Sequence, residues 1–168
     1  MKKRSVQTWE QLSSRAIFPK REASSCIAGS TPSVAVKHND ERLYSFFNAD
    51  QIIDFLLSIG MKPFVELSFM PTALASASKT VFHYRGNVTP TADYQQWSML
   101  IHTLVGHWVD RYGIREVAEW FFEVWNEPNL KAFWTGTRKD YFKLYRVTAH
   151  AIKEIDPSLK VGEAGDGA

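Results

Sequence analysis

A carboxylate and an amide stand side by side where a run of large apolar residues stops. Residues 119–125 are rich in aromatic and β-branched side chains, which is typical of a buried parallel strand. Pro128 has no backbone N–H, so we predict that the strand ends there and leaves Asn126 and Glu127 at its carboxyl end. Enzymes built on (β/α)₈ barrels carry out their chemistry at this end of the strands. Glu127 is therefore the first candidate catalytic residue.

Five segments of the chain together resemble glycoside hydrolase family 39, the β-xylosidase family. In chain order they are residues 63–71 (PFVELSFMP), 86–90 (GNVTP), 125–129 (WNEPN), 142–145 (FKLY) and 159–162 (LKVG). The resemblance runs from about Tyr44 to Val161. Asn-Glu-Pro alone recurs in many retaining glycosidases, whereas the ordered set of segments is much more specific.

The resemblance implies a glycoside hydrolase that cleaves O-glycosyl bonds by a retaining double displacement on a (β/α)₈ barrel. Glu127 would be the general acid/base at the end of the fourth strand, and Asn126 would hydrogen-bond the sugar 2-hydroxyl. A carboxyl that its environment keeps protonated can protonate the leaving oxygen and later deprotonate water. A neutral amide beside it binds a hydroxyl without adding a second negative charge.

Retention also requires a nucleophilic carboxylate about 5–5.5 Å from the acid. In the family this group comes from the seventh strand, so we expect the nucleophile to be missing from these 168 residues. Glu123 lies four residues before Glu127 on the same strand face, about 13 Å away, which is too far. We expect Glu123 and the mid-strand Glu66 to be structural carboxylates instead.

Four aromatic residues and one histidine are candidate sugar contacts, because loops after barrel strands line the mouth of the barrel. They are Phe69, Phe82, His83, Tyr84 and Trp134. Aromatic rings can stack on the apolar faces of sugars, but each of these rings could equally pack its loop onto the core. The resemblance places part of the sugar-binding wall in the loop 82–87.

No metal or other cofactor is expected. His102 and His107 are five residues apart, so on a helix their side chains diverge by about 140°. His83 and His150 complete no recognisable zinc spacing with them, and Cys26 is the only cysteine.

The composition limits both the fold and the partners. The chain has 168 residues, 45% of them hydrophobic and 14% aromatic, which is enough for one domain with a core. A complete (β/α)₈ barrel takes about 250 residues, so we expect an α/β partial barrel with about strands 3 to 5 and their helices. A net charge of +2 with no Lys/Arg block argues against nucleic acid. No apolar run could span a membrane or form a signal-peptide core, so the expected location is cytoplasmic.

The periodicity supplies the elements that position these residues. It predicts helices over residues 48–60, 97–113 and 137–156, and strands over residues 64–69, 119–127 and 159–161. Asn48 can cap the first helix, Gly113 can close the second, and residues 137–140 form a capping-box-like start to the third. Apolar residues that recur at steps of about three and four give the second and third helices an inward apolar face. Alternating helices and strands of this length are typical of a parallel sheet. Residues 1–40 show no sustained period and stay unassigned, as a disordered leader or unrelated sequence, and residues 41–168 form the expected partial catalytic domain.

Two functional alternatives stay open. The first is a β-xylosidase-like enzyme, with an α-L-iduronidase-like specificity as a less favoured variant. The second is a non-catalytic barrel fragment that binds carbohydrate weakly or needs a complementary chain. Because a partial barrel leaves sheet edges and its inner face open, we also expect self-association or pairing with a complementary barrel fragment.

Overall fold

A computed structural model describes residues 36–38 and 41–163 of the chain. The strands are β1 (Val36–His38), β2 (Glu41–Leu43), β3 (Phe64–Leu67), β4 (Thr80–Val81), β5 (Gly86–Asn87), β6 (Phe121–Val124) and β7 (Lys160–Glu163). The helices are α1 (Phe47–Ser58), α2 (Tyr94–Tyr112), α3 (Ile114–Val117) and α4 (Arg138–Ile155). Apart from β1, the leader expected over residues 1–40 lies outside the described residues.

The centre of the fold is a three-stranded parallel sheet in the order β3-β6-β7. Phe64 aligns with Phe121, and Phe121 aligns with Lys160, so the carboxyl ends of all three strands lie at one edge. The chain from β3 to β6 passes through β4, β5, α2 and α3, and helix α4 connects β6 to β7. The predicted α/β organisation with a parallel sheet is confirmed. Two short antiparallel pairs, β1-β2 and β4-β5, accompany it.

The two faces of the sheet differ sharply in burial. Val65, Leu67, Phe122 and Val124 are buried, and the residues between them are half-buried. The buried face packs on the helices, since Trp108 of α2 stacks on Phe122 with ring centroids 6.3 Å apart. This alternation is what a strand with one fully covered face requires.

Local signals fix the ends of the two long helices. The side chain of Asp93 accepts hydrogen bonds from the backbone of Gln95 and Gln96 and caps α2, which closes at Gly113 with φ 84°. Helix α4 begins with the predicted capping box, in which Thr137 and Asp140 bond each other's backbone N–H. Both helices carry their predicted apolar faces into the core.

The element bounds differ from the sequence-based expectation in several places, and helix α2 begins three residues early, at Tyr94. Helix α1 begins at Phe47, so Asn48 lies inside its first turn and does not cap it. The short helix α3 was not predicted, because four residues carry no periodic signal. Strands β3 and β6 end at Leu67 and Val124, before the predicted residues 69 and 127. None of the described helices is long and apolar enough to cross a membrane.

Helix α1 is fastened to α2 by a polar network. The Asp50 carboxylate lies 2.9 Å from Nε2 of His107 and accepts a 3.1 Å hydrogen bond from the indole of Trp108. Asp54 bonds Arg111 and the Tyr112 hydroxyl at 2.8 and 2.9 Å, which lowers the pKa of Asp54. His107 therefore has a structural partner in this network.

Candidate active site

The chain turns out of the sheet directly before the candidate acid. Strand β6 ends at Val124, and both Trp125 (φ 70°) and Glu127 (φ 47°) adopt left-handed backbone conformations. Such conformations cost on the order of 1–3 kcal/mol each in residues other than glycine and cluster at functional sites. Val124 and Trp125 are both buried, so the strict alternation of the strand ends here.

This turn removes an apparent difficulty in the sequence. Regular alternation would put Asn126 and Glu127 on opposite faces of a strand, whereas the proposed chemistry needs both near one sugar. Because neither residue lies in the strand, that constraint does not apply to them. Both residues are half-buried. Within residues 44–162, neither side chain has a hydrogen-bond or ion-pair partner.

Trp125 anchors the turn in the core. Its indole N–H donates a 2.9 Å hydrogen bond to the carbonyl of Phe133, and its ring meets Trp134 edge-on at 4.8 Å. The Glu127 carbonyl accepts a 3.0 Å hydrogen bond from the N–H of Leu130. These two hydrogen bonds link residues within the loop between β6 and α4, the loop that carries Glu127.

An aromatic cluster lies against this loop. It consists of Phe69, Phe82, Tyr84, Trp125, Phe133 and Trp134. Phe69 is central, with its ring centroid 5.8 Å from Trp125, 6.1 Å from Phe82 and 6.3 Å from Phe133. The structure therefore brings together all four aromatic residues predicted to contact sugar.

Burial divides the predicted contacts into two groups. Phe69 and Trp134 expose only 1% and 4% of their surface, so their rings are covered by neighbouring residues. Phe82 is 52% exposed, His83 is exposed and Tyr84 is half-buried. The ring of Phe82 stacks on Tyr84 at 5.2 Å, and His83 meets Tyr84 edge-on at the same distance. Only this second group presents side chains to an incoming ligand.

The exposed group lies at the tip of the β4-β5 hairpin. Phe82 and Arg85 have φ values of 61° and 58°, and the N–H of Arg85 donates a 3.1 Å hydrogen bond to the Phe82 carbonyl. At Gly86 an added Cβ would lie 2.5 Å from Cδ2 of Phe69, so a side chain would clash there. Asn87, whose amide donates to the Ala77 carbonyl at 2.7 Å, ties the hairpin to the loop before it.

Two other carboxylates, Glu66 and Glu123, lie within the strands of the sheet. Glu66 and Glu123 are register partners on neighbouring strands, half-buried on the face away from the helices. The hydroxyl of Ser68 donates to the Glu66 carboxylate at 2.5 Å. This contact favours the structural role expected for Glu66.

The histidines outside the hairpin are dispersed. His102 lies exposed on α2, and His150 pairs with Glu154 on α4 at 3.3 Å. Within the described part of the chain, no three His, Cys, Asp or Glu side chains are grouped in a way that could hold a metal ion.

Sequence reasoning missed Phe133. It lies half-buried in the loop after β6, where its ring contacts Phe69 and Phe82 while its carbonyl binds Trp125. The adjacent aromatic pair Phe133-Trp134 in a loop was the available signal, but only the fold shows which of the two contacts the hairpin.

Comparisons with known proteins agree with this arrangement. The family model for glycosyl hydrolases family 39 matches residues 31–168. A β-xylosidase from Caldicellulosiruptor saccharolyticus is 62% identical over 132 residues, which are 77% of this chain and 27% of that protein. The α-L-iduronidase of Homo sapiens is 30% identical over 128 residues, which are 73% of this chain and 18% of that protein.

A solved structure supports the same relationship. The family 39 β-xylosidase from Caulobacter crescentus superposes with a TM-score of 0.73 at 45% identity, covering 77% of this chain and 29% of that one. The chain thus spans about a quarter of the length of the β-xylosidases that it matches.

Proposed function

The chain belongs to glycosyl hydrolases family 39, and from that premise we propose that it carries the acid/base part of a retaining, β-xylosidase-like active site. In this proposal Glu127 protonates the glycosidic oxygen as the bond breaks and then deprotonates the water that releases the sugar. The nucleophile comes from the part of the catalytic domain beyond the described strands.

The proposal assigns the sheet to one sector of a barrel. Strands β3, β6 and β7 would be strands 3, 4 and 5 of a (β/α)₈ barrel, within a partial catalytic domain over residues 41–168. The half-buried face with Glu66 and Glu123 would line the barrel interior, and α2 and α4 would belong to the outer ring. The carboxyl ends of the strands, where Glu127 follows, would then be the catalytic face.

The substrate-binding part of the proposal uses the groups that reach the surface. Asn126 would hydrogen-bond the sugar 2-hydroxyl, and Phe82, His83 and Tyr84 would form one wall of the sugar site. Phe69 is buried against Phe82 and would support that wall from beneath, whereas Trp134 is buried against Trp125 and would support the turn before Asn126. A rigid aromatic base of this kind limits the movement of the rings above it.

One observation carries the assignment of Glu127. It follows a parallel strand by three residues, on a left-handed backbone beside an aromatic cluster that reaches the surface at Phe82. The carboxyl end of the parallel strands is where barrel enzymes carry out their chemistry. Glu66 and Glu123 lie within the strands and lack that position.

A β-xyloside is the proposed substrate, in preference to an α-L-iduronide. The β-xylosidase relative is 62% identical to this chain, whereas the α-L-iduronidase relative is 30% identical. Hydrolysis of an aryl β-xyloside and of the matching α-L-iduronide by the same preparation distinguishes the two specificities.

A hybrid enzyme tests the acid/base assignment. In it, residues 44–163 of this chain replace the matching segment of the Caldicellulosiruptor saccharolyticus β-xylosidase, which supplies the rest of the barrel. Replacing Glu127 by Gln is expected to lower kcat/KM for an aryl β-xyloside roughly 10²–10⁴-fold, because the amide cannot transfer the proton. The measurement is steady-state hydrolysis of the hybrid and its variant.

The matched control is Glu123→Gln, which makes the same chemical change four residues earlier, on strand β6 itself. It is expected to retain much more activity than the Glu127 variant. Hydrolysis that survives Glu127→Gln would refute the assignment. If the hybrid shows no hydrolysis although this chain by itself binds methyl β-xyloside, the non-catalytic alternative would be favoured.

A further inference from the structure

We propose that Phe133 is a positioning residue, which sets the exposed ring of Phe82 relative to the turn that carries Asn126 and Glu127. This inference rests on the proposed function, since it assumes that Phe82 and Glu127 serve one sugar. It concerns a residue that does not itself reach the reacting atoms. Phe133 lies in the loop between β6 and α4, where its carbonyl binds Trp125 and its ring contacts Phe82 of the β4-β5 hairpin.

The first contact joins Phe133 to the turn that carries Asn126 and Glu127. Its carbonyl accepts the 2.9 Å hydrogen bond from the indole of Trp125, which is fully buried and directly precedes Asn126. The buried Trp125 side chain thus anchors a turn in which both Trp125 and Glu127 have left-handed backbones. The backbone position of Phe133 is therefore tied to the position of Glu127.

The second contact joins the ring of Phe133 to the hairpin. The ring lies nearly parallel to Phe69, with an 8° angle and 6.3 Å between centroids, and 5.5 Å from the ring of Phe82. The other ring neighbours of Phe82 within the described chain are Phe69 and Tyr84. Phe82 is half-exposed on a left-handed backbone, so its ring depends on these three neighbours for a fixed position.

A separate tether makes the ring contact testable by itself. The backbone N–H and the hydroxyl of Thr135 donate to the Val88 carbonyl at 3.0 and 3.3 Å, which attaches the loop to the base of the hairpin. A leucine at position 133 keeps this tether and the Trp125 hydrogen bond and loses only the ring. Its effect therefore reports the aromatic contacts.

The test compares Phe133→Leu with Phe133→Tyr, which keeps the ring, in the full chain. Phe142→Leu is the matched control, because Phe142 is an exposed phenylalanine on α4 outside the aromatic cluster. Hydrogen–deuterium exchange by mass spectrometry follows the peptides that contain residues 80–88 and 125–130. Tryptophan fluorescence follows titration with methyl β-xyloside.

We expect Phe133→Leu to accelerate exchange in the 80–88 peptide and to weaken xyloside binding about 2–10-fold, which is the size of an aromatic pair contribution. The 125–130 peptide should change less, because the Trp125 hydrogen bond to the backbone carbonyl is kept. Phe133→Tyr should restore both properties, and Phe142→Leu should change neither. A general loss of stability would accelerate exchange in α2 as well, and the tyrosine variant separates that effect from positioning.

Two results would overturn the inference. One is Phe133→Leu with unchanged exchange in the 80–88 peptide, and the other is faster exchange there with unchanged xyloside affinity. Wild-type chain that binds no xyloside would count against the proposed sugar site. In that case, faster exchange in the 80–88 peptide of Phe133→Leu still supports the contact between the β6-α4 loop and the hairpin.

Discussion

Glu127 is placed by its neighbours along the backbone, through Trp125 and the Leu130 hydrogen bond. Its own carboxylate has no hydrogen-bond or ion-pair partner among residues 44–162. The same principle applies on the opposite loop, where Gly86 allows Phe69 to lie against the hairpin. Residues other than Asn126 and Glu127 therefore determine the shape of the site. Substitutions at such positions are expected to act through packing.

Gly86→Ala tests this view of the aromatic cluster. The added Cβ would lie 2.5 Å from the buried ring of Phe69, so we expect a loss of about 1–3 kcal/mol in the free energy of unfolding. Urea denaturation measures it. Gly106→Ala is the control, since a Cβ on this α2 glycine meets nothing within 4 Å and should stabilise the helix by roughly 0.5–1 kcal/mol. Equal effects of the two substitutions would contradict the packing argument.

At the scale of the elements, helix α4 follows the loop that carries Glu127, and its first turn fixes where that loop ends. The capping box of Thr137 and Asp140 holds this turn, and the buried indole of Trp97 donates to Thr148 at 2.7 Å to join α2 and α4. The Tyr141 hydroxyl also donates to the Val124 carbonyl at 3.3 Å, at the end of β6. Stabilisation of the start of α4 therefore helps to hold the loop.

The cap predicts a pH dependence. Hydrogen bonds from the Thr137 side chain and backbone hold the pKa of the Asp140 carboxyl below its ordinary value. A carboxyl with a lowered folded-state pKa contributes stability that is present above its unfolded pKa and is lost as the pH falls through the folded value. The melting temperature of wild type should therefore exceed that of Asp140→Ala near neutral pH, and the difference should shrink below about pH 4. A difference that stays constant or grows in acid would contradict this role.

Local chemistry explains which elements the sequence predicted. Thr137 and Asp140 sit three residues apart and Gly113 follows a long apolar period, so these boundaries depend on near neighbours and are confirmed. Helix α1 starts at Phe47, one residue before Asn48. Rules for helix caps read only the local sequence, so they miss the tertiary contacts that also influence where a helix begins. The left-handed turn at Trp125 depends on a partner eight residues away, which no periodicity encodes. Proximity of Phe82 and Phe133 likewise required the fold.

At the scale of the whole molecule, the described part of the chain has an open sheet. Strands β3 and β7 each pair on one side only within residues 36–38 and 41–163, and Phe47, Phe55 and Ile59 of the α1 region are exposed. Unpaired parallel strand edges and exposed apolar residues both favour association. A complete barrel would cover the edges.

Self-association of the isolated chain is therefore expected. Sedimentation velocity should show species larger than a monomer whose proportion rises with concentration. A second chain can hydrogen-bond the strand edges and bury the exposed apolar side chains. Adding the remaining segment of the β-xylosidase relative should compete with this association. A single monomeric species at all concentrations, with one cooperative thermal transition, would contradict it.

The central claim, that Glu127 transfers the proton, is tested most directly by azide rescue of Glu127→Ala in the hybrid enzyme. Azide attacks a glycosyl-enzyme intermediate without base catalysis, so it can replace the water that Glu127 would activate. The predicted result is that azide restores turnover of an aryl β-xyloside with a good leaving group and yields β-xylosyl azide. An alanine variant as active as the parent hybrid, or one that azide leaves unchanged, would contradict the claim.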